Sequence, residues 1–168
     1  LGFNTKLLTR EQVPKSYKDL LNPKWKGKMA LAGSSTGNNW IYAILVAYGD
    51  EFVNQLAKQE FIVQNVSARA LLDMVISGEY ALSPTIFSSQ VTNSRQEGAP
   101  CDWVPLEPVH VNVGELALPK HPPNPHAALL FLDFRLTREA GEIYKKTGYS
   151  PTRKDVPGAS TYKKFYGA

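Results

Sequence analysis

The chain has few of the features that mark catalytic, disulfide-rich or membrane proteins. It contains one cysteine, Cys101, which excludes an internal disulfide framework and a cysteine-based zinc site. No apolar run reaches the length needed to cross a bilayer. The sequence has no G-x-S-x-G elbow, Walker loop, HExxH motif or dinucleotide fingerprint. We therefore expect no enzyme activity, no resident cofactor and no metal-binding residue.

The composition is that of a globular domain with a mildly basic surface. The 168 residues are 43% hydrophobic and 20% charged, and the net charge is +4. A domain of this size buries about 70% of its unfolded surface. The basic residues are dispersed, whereas a nucleic-acid binder more often shows a dense basic stripe, so we expect no nucleic-acid partner. The sequence starts at Leu1 without an initiator Met or signal peptide, which predicts a processed or truncated product.

Short apolar runs alternate along the chain with segments of helical spacing. Gly49 interrupts the first such helix, Ser67 is a typical cap for the next one, and Gly78 is typical of its end. This alternation predicts an α/β fold with a mostly parallel sheet and helices on both faces. The predicted strands are 29–32, 61–63, 80–83 and 102–105, and the predicted helices are 38–59, 67–77 and 85–97.

Polar turns follow three of the predicted strands, at 33–39, 64–67 and 83–89. In parallel sheets, ligands bind beyond the carboxyl ends of the strands, near helix N-termini. A helix start offers unpaired N–H groups and a positive dipole end, and small hydroxyl residues let an anion approach them. Serine and threonine are also ordinary helix-capping residues, so both interpretations of these turns stay open.

The segment after Pro108 has a different character. The alternating residues 109–113 predict a strand, and 115–119 predict a second one. Residues 127–134 are apolar nearly all round, which predicts a deeply buried helix that needs partners on every side. Thr137 is a suitable cap for a last helix over 138–147.

Four segments carry a more specific pattern, and they occur in a fixed order. The first is a proline, a short helix and the run Pro-Lys-Trp-Lys-Gly-Lys, within 13–28. A Ser-Gly-Glu turn follows at 77–79, then the late apolar helix within 123–134, then the closing segment 139–153. Together they resemble bacterial periplasmic solute-binding proteins of ABC importers, in the ferric-ion-binding-like branch.

This resemblance implies a two-lobed, hinged protein that closes around its ligand and passes it to a membrane permease. Family members are about twice as long, so the chain is expected to match the C-terminal half. Residues 1–108 would form a second-lobe α/β domain, and 109–168 a return strand and C-terminal helices that pack toward the first lobe and hinge. The first lobe, or a dimer mate, would then cover the helix 127–134. The expected location is the periplasm or, more generally, outside the cytoplasm.

The resemblance also bears on iron. Iron-binding members coordinate Fe³⁺ through two adjacent tyrosines after the Ser-Gly-Glu turn. The matching stretch 82–90 contains no tyrosine, and Phe87, Ser88 and Ser89 stand near the expected positions. Phenylalanine cannot bind a metal and neutral serine is a poor ligand for Fe³⁺, so the departure argues against direct iron binding.

The anion-binding part of the family pattern is better preserved. In the iron-binding branch, a small-residue loop at a helix start holds phosphate or carbonate, and its role transfers to Ser35, Thr36 and Gly37. We expect a small anionic solute or metal–anion complex as ligand. The alternatives are a ferric-iron transport protein without the tyrosine pair and a single-lobe interaction or signalling module. Trp40 would be a cleft wall or a core residue. The candidate ligand-binding residues are Ser34, Ser35, Thr36, Gly37, Asn38, Trp40, Asn65, Ser67, Thr85, Ser88 and Ser89.

Overall fold

The computed structural model describes residues 1–151 and 153–156, and the backbone of 164–166. The chain divides into two compact units. Unit 1 contains Leu1–Val111 together with 164–166, and unit 2 contains the described residues of Asn112–Thr161. The last part of the predicted C-terminal segment, 157–163 and 167–168, lies outside the described residues.

Unit 1 is built on a mixed sheet. Strand β1 (Gly2–Asn4) pairs antiparallel with both β4 (Leu82–Ser83) and β5 (Cys101–Trp103). Strands β2 (Ala30–Ala32) and β3 (Ile62–Gln64) pair in parallel, and an isolated parallel bridge from Met29 to Leu82 places β2 beside β4. The predicted α/β fold is confirmed. The structure adds one antiparallel strand, β1, between two strands that run in a common direction.

Helices α1 (Ser35–Ala57), α2 (Ala68–Ser77) and α3 (Ser88–Gln96) follow β2, β3 and β4. The predicted interruption of the first helix is confirmed, because Gly49 has φ 81° and ψ 173°, a conformation that favours glycine. Helix α3 begins later than the predicted residue 85. Residues 84–87 instead form a turn, in which the Thr85 side chain is bonded to the end of β2.

The cap predicted for α2 is also observed. The Ser67 hydroxyl accepts a hydrogen bond from the N–H of Ala70 at 3.2 Å. Gly78 ends the helix in the left-handed conformation, with φ 89°.

Apolar side chains fill both sides of the unit 1 sheet. One cluster joins β1 and β2 to α1 and is centred on Phe3, Met29 and Ile44, none of which is more than 1% exposed. A second cluster packs α2 and α3 against β5 through Leu72 and Val91, which are fully buried. Each fully buried Leu, Ile or Phe contributes about 1.5–3 kcal/mol relative to an exposed one, so these clusters supply much of the stability.

Unit 1 ends with strand β6 (Val109–Val111), which pairs in parallel with β7 (Lys164–Tyr166). The strand predicted at 109–113 is thus confirmed in its first three residues. The second strand predicted at 115–119 is wrong, because this segment has no regular structure. Its side chains are exposed, and no strand pairs with it among the described residues.

Unit 2 contains helices α4 (Pro125–Arg135) and α5 (Arg138–Lys146). The Thr137 hydroxyl caps α5 as predicted, by accepting from the N–H of Ala140 at 3.2 Å. The prediction that 127–134 is deeply buried is wrong for this chain. No residue of α4 is buried, and Leu130 and Phe131 are 71% and 55% exposed. Within the described part of the chain, we find no helix with the length and apolarity to span a membrane.

Candidate functional site

The three polar turns that follow β2, β3 and β4 lie together at one edge of the sheet. The N–H of Gly33 donates to the Gln64 carbonyl at 2.6 Å, which joins the first turn to the second. The N–H of Ala32 donates to the Thr85 hydroxyl at 2.9 Å, which joins the end of β2 to the third. We call residues 33–39, 64–67 and 83–89 the rim. The strand order predicted this grouping, because parallel strands end at the same edge.

Two glycines let α1 begin directly at the end of β2. A Cβ atom on Gly37 would overlap the Ala32 carbonyl oxygen, which belongs to backbone and cannot easily move. A Cβ atom on Gly33 would lie 3.0 Å from the Val63 side chain and against the Asn65 side-chain oxygen. The backbone contact makes glycine necessary at Gly37, whereas a side chain at Gly33 would displace the exposed Asn65 side chain and press against Val63. Gly33 was not among the predicted site residues, and its place between a strand and a hydroxyl-rich loop is the sequence signal that indicates it.

The start of α1 leaves hydrogen-bond donors without a partner in the helix. Ser34 is the N-cap, with φ −110° and ψ −175°, but its side chain makes no capping hydrogen bond. Its carbonyl accepts from the N–H groups of Gly37 and Asn38 at 3.0 and 3.2 Å. The N–H groups of Ser35 and Thr36 precede the helical hydrogen-bond pattern, so they have no intrahelical acceptor. The first turn also carries no acidic residue.

The side chains of this first turn differ in their access to solvent. Ser35 and Asn38 are exposed, whereas Ser34 and Thr36 are half-buried and Gly37 is buried. The rim contains no titratable side chain in any of its three turns. Attraction of an anion to this edge therefore comes from N–H groups, hydroxyls, amides and the helix dipole.

Two of the predicted ligand-binding residues, Thr85 in the rim and Trp40 next to it, are buried. Thr85 is 3% exposed, and its hydroxyl oxygen accepts from Ala32 and lies 3.2 Å from the Ser83 hydroxyl. Trp40 is 3% exposed and packs edge-on against Phe61. Of the two roles left open for Trp40, burial favours that of a core residue, and it likewise favours support of the rim over ligand contact for Thr85. Ser83, which was not predicted, belongs to the same supporting group.

The remaining candidates are spread over the second and third turns. Asn65 is exposed beside Gly33, and the Ser67 hydroxyl is engaged in capping α2. Ser88 begins α3 and is half-buried, and Ser89 is 8% exposed. The hydroxyls of Ser88 and Ser89 lie at the start of α3, where the resemblance to the iron-binding branch would place tyrosines. Among the described residues, no group of three or more His, Cys, Asp or Glu side chains is arranged to hold a metal ion.

The sequence model of the family described as bacterial extracellular solute-binding protein matches residues 1–165. The chain therefore belongs to this family.

Individual relatives place the chain within a longer protein architecture. Iron uptake protein A1 of Synechocystis sp. is 27% identical over 165 residues, which cover 84% of this chain and 44% of that protein. The sulfate-binding protein SubI of Mycobacterium tuberculosis superposes with a TM-score of 0.79 at 18% identity, over 98% of this chain and 61% of that one. Iron-bound HitA of Pseudomonas aeruginosa gives a TM-score of 0.71 at 20% identity, over 95% of this chain and 56% of that one. The chain thus spans less than half the length of the curated relative.

Proposed function

We propose that this chain forms part of the substrate-binding component of an ABC-type importer. The rim would hold a small anionic solute, or the anionic part of a metal complex, within a cleft. A membrane permease would be the partner, the periplasm the location, and no catalysis would be required. The observation that carries this proposal is the open N-terminus of α1, where the Ser34 side chain leaves the first N–H groups uncapped.

Neutral donors suit an anion that must be both captured and released. Hydrogen bonds from N–H and O–H groups to a charged oxygen are each stronger than neutral ones, yet no fixed cation holds the ligand permanently. One structural neighbour is a sulfate-binding protein, which agrees with an oxyanion ligand. We therefore favour sulfate, phosphate, phosphonates and carboxylates as the classes to test first.

Iron transport is the second candidate, because one relative is an iron uptake protein and one structural neighbour is iron-bound HitA. The start of α3 presents Phe87, Ser88 and Ser89, none of which supplies an anionic oxygen. A hard trivalent cation prefers anionic oxygen ligands, so we expect this chain to take iron only as a chelate. The anionic groups of the chelate would then occupy the same helix start.

A titration of the 168-residue chain, followed by amide NMR shifts, tests the anion site. We expect sulfate or phosphate to give saturable shifts at 35–38, while chloride at equal ionic strength gives none. The decisive variant is Ser35→Pro, because proline is well accepted at the first helical position after an extended residue such as Ser34. It removes one N–H donor and one hydroxyl without disturbing the helix.

We expect the Ser35→Pro variant to bind the anion about tenfold more weakly or worse, since a hydrogen bond to a charged group contributes about 1.5–3 kcal/mol. The matched control is Ser77→Ala, which removes an exposed hydroxyl at the far end of α2. Absence of saturable shifts at 35–38 with every oxyanion would refute the site. Binding of Fe³⁺ alone, at unchanged affinity without any anion, would instead favour direct iron transport.

A further inference from the structure

Five aromatic side chains form a continuous cluster along α1. The ring of Tyr17 lies 6.3 Å from that of Trp40 and 5.4 Å from that of Tyr48. Tyr48 stacks on Phe52 at 4.8 Å, and Trp40 meets Phe61 edge-on at 6.1 Å. The cluster therefore reaches from the first turns of α1, beside the rim, to the second half of the helix.

Two hydroxyls of this cluster bond to neighbouring carbonyls of one distant segment. Tyr48 Oη donates to the Glu107 carbonyl at 3.0 Å, and Tyr17 Oη donates to the Pro108 carbonyl at 3.2 Å. Tyr17 is 3% exposed, and burial raises its pKa to about 12, so its hydroxyl stays protonated and able to donate at any ordinary pH. Two separate parts of unit 1 thus hold consecutive peptide groups.

The segment held in this way ends the densely packed part of unit 1, and strand β6 follows it before the chain leaves the unit. Val104 and Leu106 precede it and are buried in the main core of unit 1. After Pro108, the residues of β6 are only half-buried, and all of 112–119 are exposed. The tyrosine hydroxyls therefore act where the well-packed chain gives way to the exposed connection.

We propose that Tyr17 and Tyr48 form an anchor that fixes Glu107 and Pro108 to helix α1. The segment that ends at Pro108 then moves together with α1. Because the first turn of α1 belongs to the rim, the same helix carries the candidate ligand site and the contact with Glu107. The inference needs only the fold, and it holds for any ligand of the rim.

Hydrogen–deuterium exchange of the 168-residue chain, without ligand, tests the anchor. The variants are Tyr17→Phe, Tyr48→Phe and the double variant, which keep the rings and remove only the hydroxyls. We expect the amides of Glu107 and 109–111 to exchange about 5- to 30-fold faster in the double variant, as the loss of two modest hydrogen bonds predicts. The exchange of the Gly33 amide in the rim should not change.

The matched control is Tyr42→Phe, which removes a hydroxyl from an exposed tyrosine on the same helix. Unchanged exchange at 107–111 in the double variant would overturn the proposal. So would a uniform rise across unit 1, because the hydroxyls would then act on global stability alone. The single Tyr48→Phe variant removes the more exposed of the two hydroxyls, so it gives the same local readout if the double variant is too unstable to measure.

Discussion

The hydrogen bond between Thr85 and Ala32 provides a sharp test of how the rim is held in place. Replacing Thr85 with Val keeps the shape of the side chain and removes its oxygen. The N–H of Ala32 then loses its acceptor in a site where Ala32 is 2% and Thr85 3% exposed, so water cannot replace the bond. Leaving a buried donor unpaired costs about 1–3 kcal/mol.

This cost translates into a measurable loss of thermal stability. For a chain of this size, 1 kcal/mol lowers Tm by about 2–4 °C, so we expect Thr85→Val to melt about 2–12 °C below the parent chain. The amide of Ala32 should also lose protection from hydrogen exchange. The matched variant is Thr85→Ser, which keeps the acceptor oxygen and loses one buried methyl group, worth about 0.8 kcal/mol.

The two variants separate the hydrogen bond from packing. Thr85→Ser should retain protection of the Ala32 amide even where its Tm falls slightly. If Thr85→Val proves as stable as Thr85→Ser, and the Ala32 amide stays protected in both, the bond is not what fixes the third turn to the end of β2. Our reassignment of Thr85 from ligand contact to support of the rim would then be wrong.

Two further predictions concern ionisable groups away from the rim. Cys101 is 1% exposed, and burial raises the pKa of its thiol. A thiolate-directed reagent at pH 8 should therefore label Cys101 only after the chain is unfolded in urea. Equal labelling of the folded chain would contradict the burial of Cys101. The pKa of Asp19 is lowered, first by hydrogen bonds from the backbone N–H groups of Lys15 and then Ser16, each at 2.9 Å. Because the pKa of Asp19 is lower in the folded state, its carboxylate stabilises the fold at pH above its unfolded pKa of about 3.9. This stabilisation is lost as the pH falls through the folded pKa. The difference in urea midpoint between the parent chain and Asp19→Asn should therefore be largest near pH 7 and shrink below pH 4, and a constant difference would contradict this account.

Features fixed by neighbours in sequence were predictable from the residues. The caps at Ser67 and Thr137, and the break in α1 at Gly49, depend on groups within a few positions, so residue type alone indicates them. The alternation of strands and helices likewise predicted the α/β fold. The grouping of the three turns followed from that order, because helices that follow parallel strands begin at a common edge.

Features fixed by distant partners were not predictable in this way. An apolar segment such as 115–119 looks in sequence like a buried strand. It forms a regular strand only where a neighbouring strand pairs with its backbone, and 115–119 has no regular structure. Residues 127–134 are apolar enough for a core, yet burial depends on what packs against them, and the described chain leaves them exposed. The antiparallel direction of β1 also depends on its partners, β4 and β5.

The sequence by itself determined the alternation of β2 to β5 with α1 to α3 in unit 1, the polar turns that follow three of these strands and the absence of a tyrosine pair at 87–89. Only the tertiary structure decided which of those polar residues are exposed and which are satisfied inside the protein. The Thr85 hydroxyl looks in sequence like the hydroxyls of Ser35 and Thr36, but its partner, Ala32, is 53 positions away in the chain. Because a hydroxyl satisfied inside the protein has little left to offer a ligand, the assignment of each rim residue depends on contacts that the linear order does not contain.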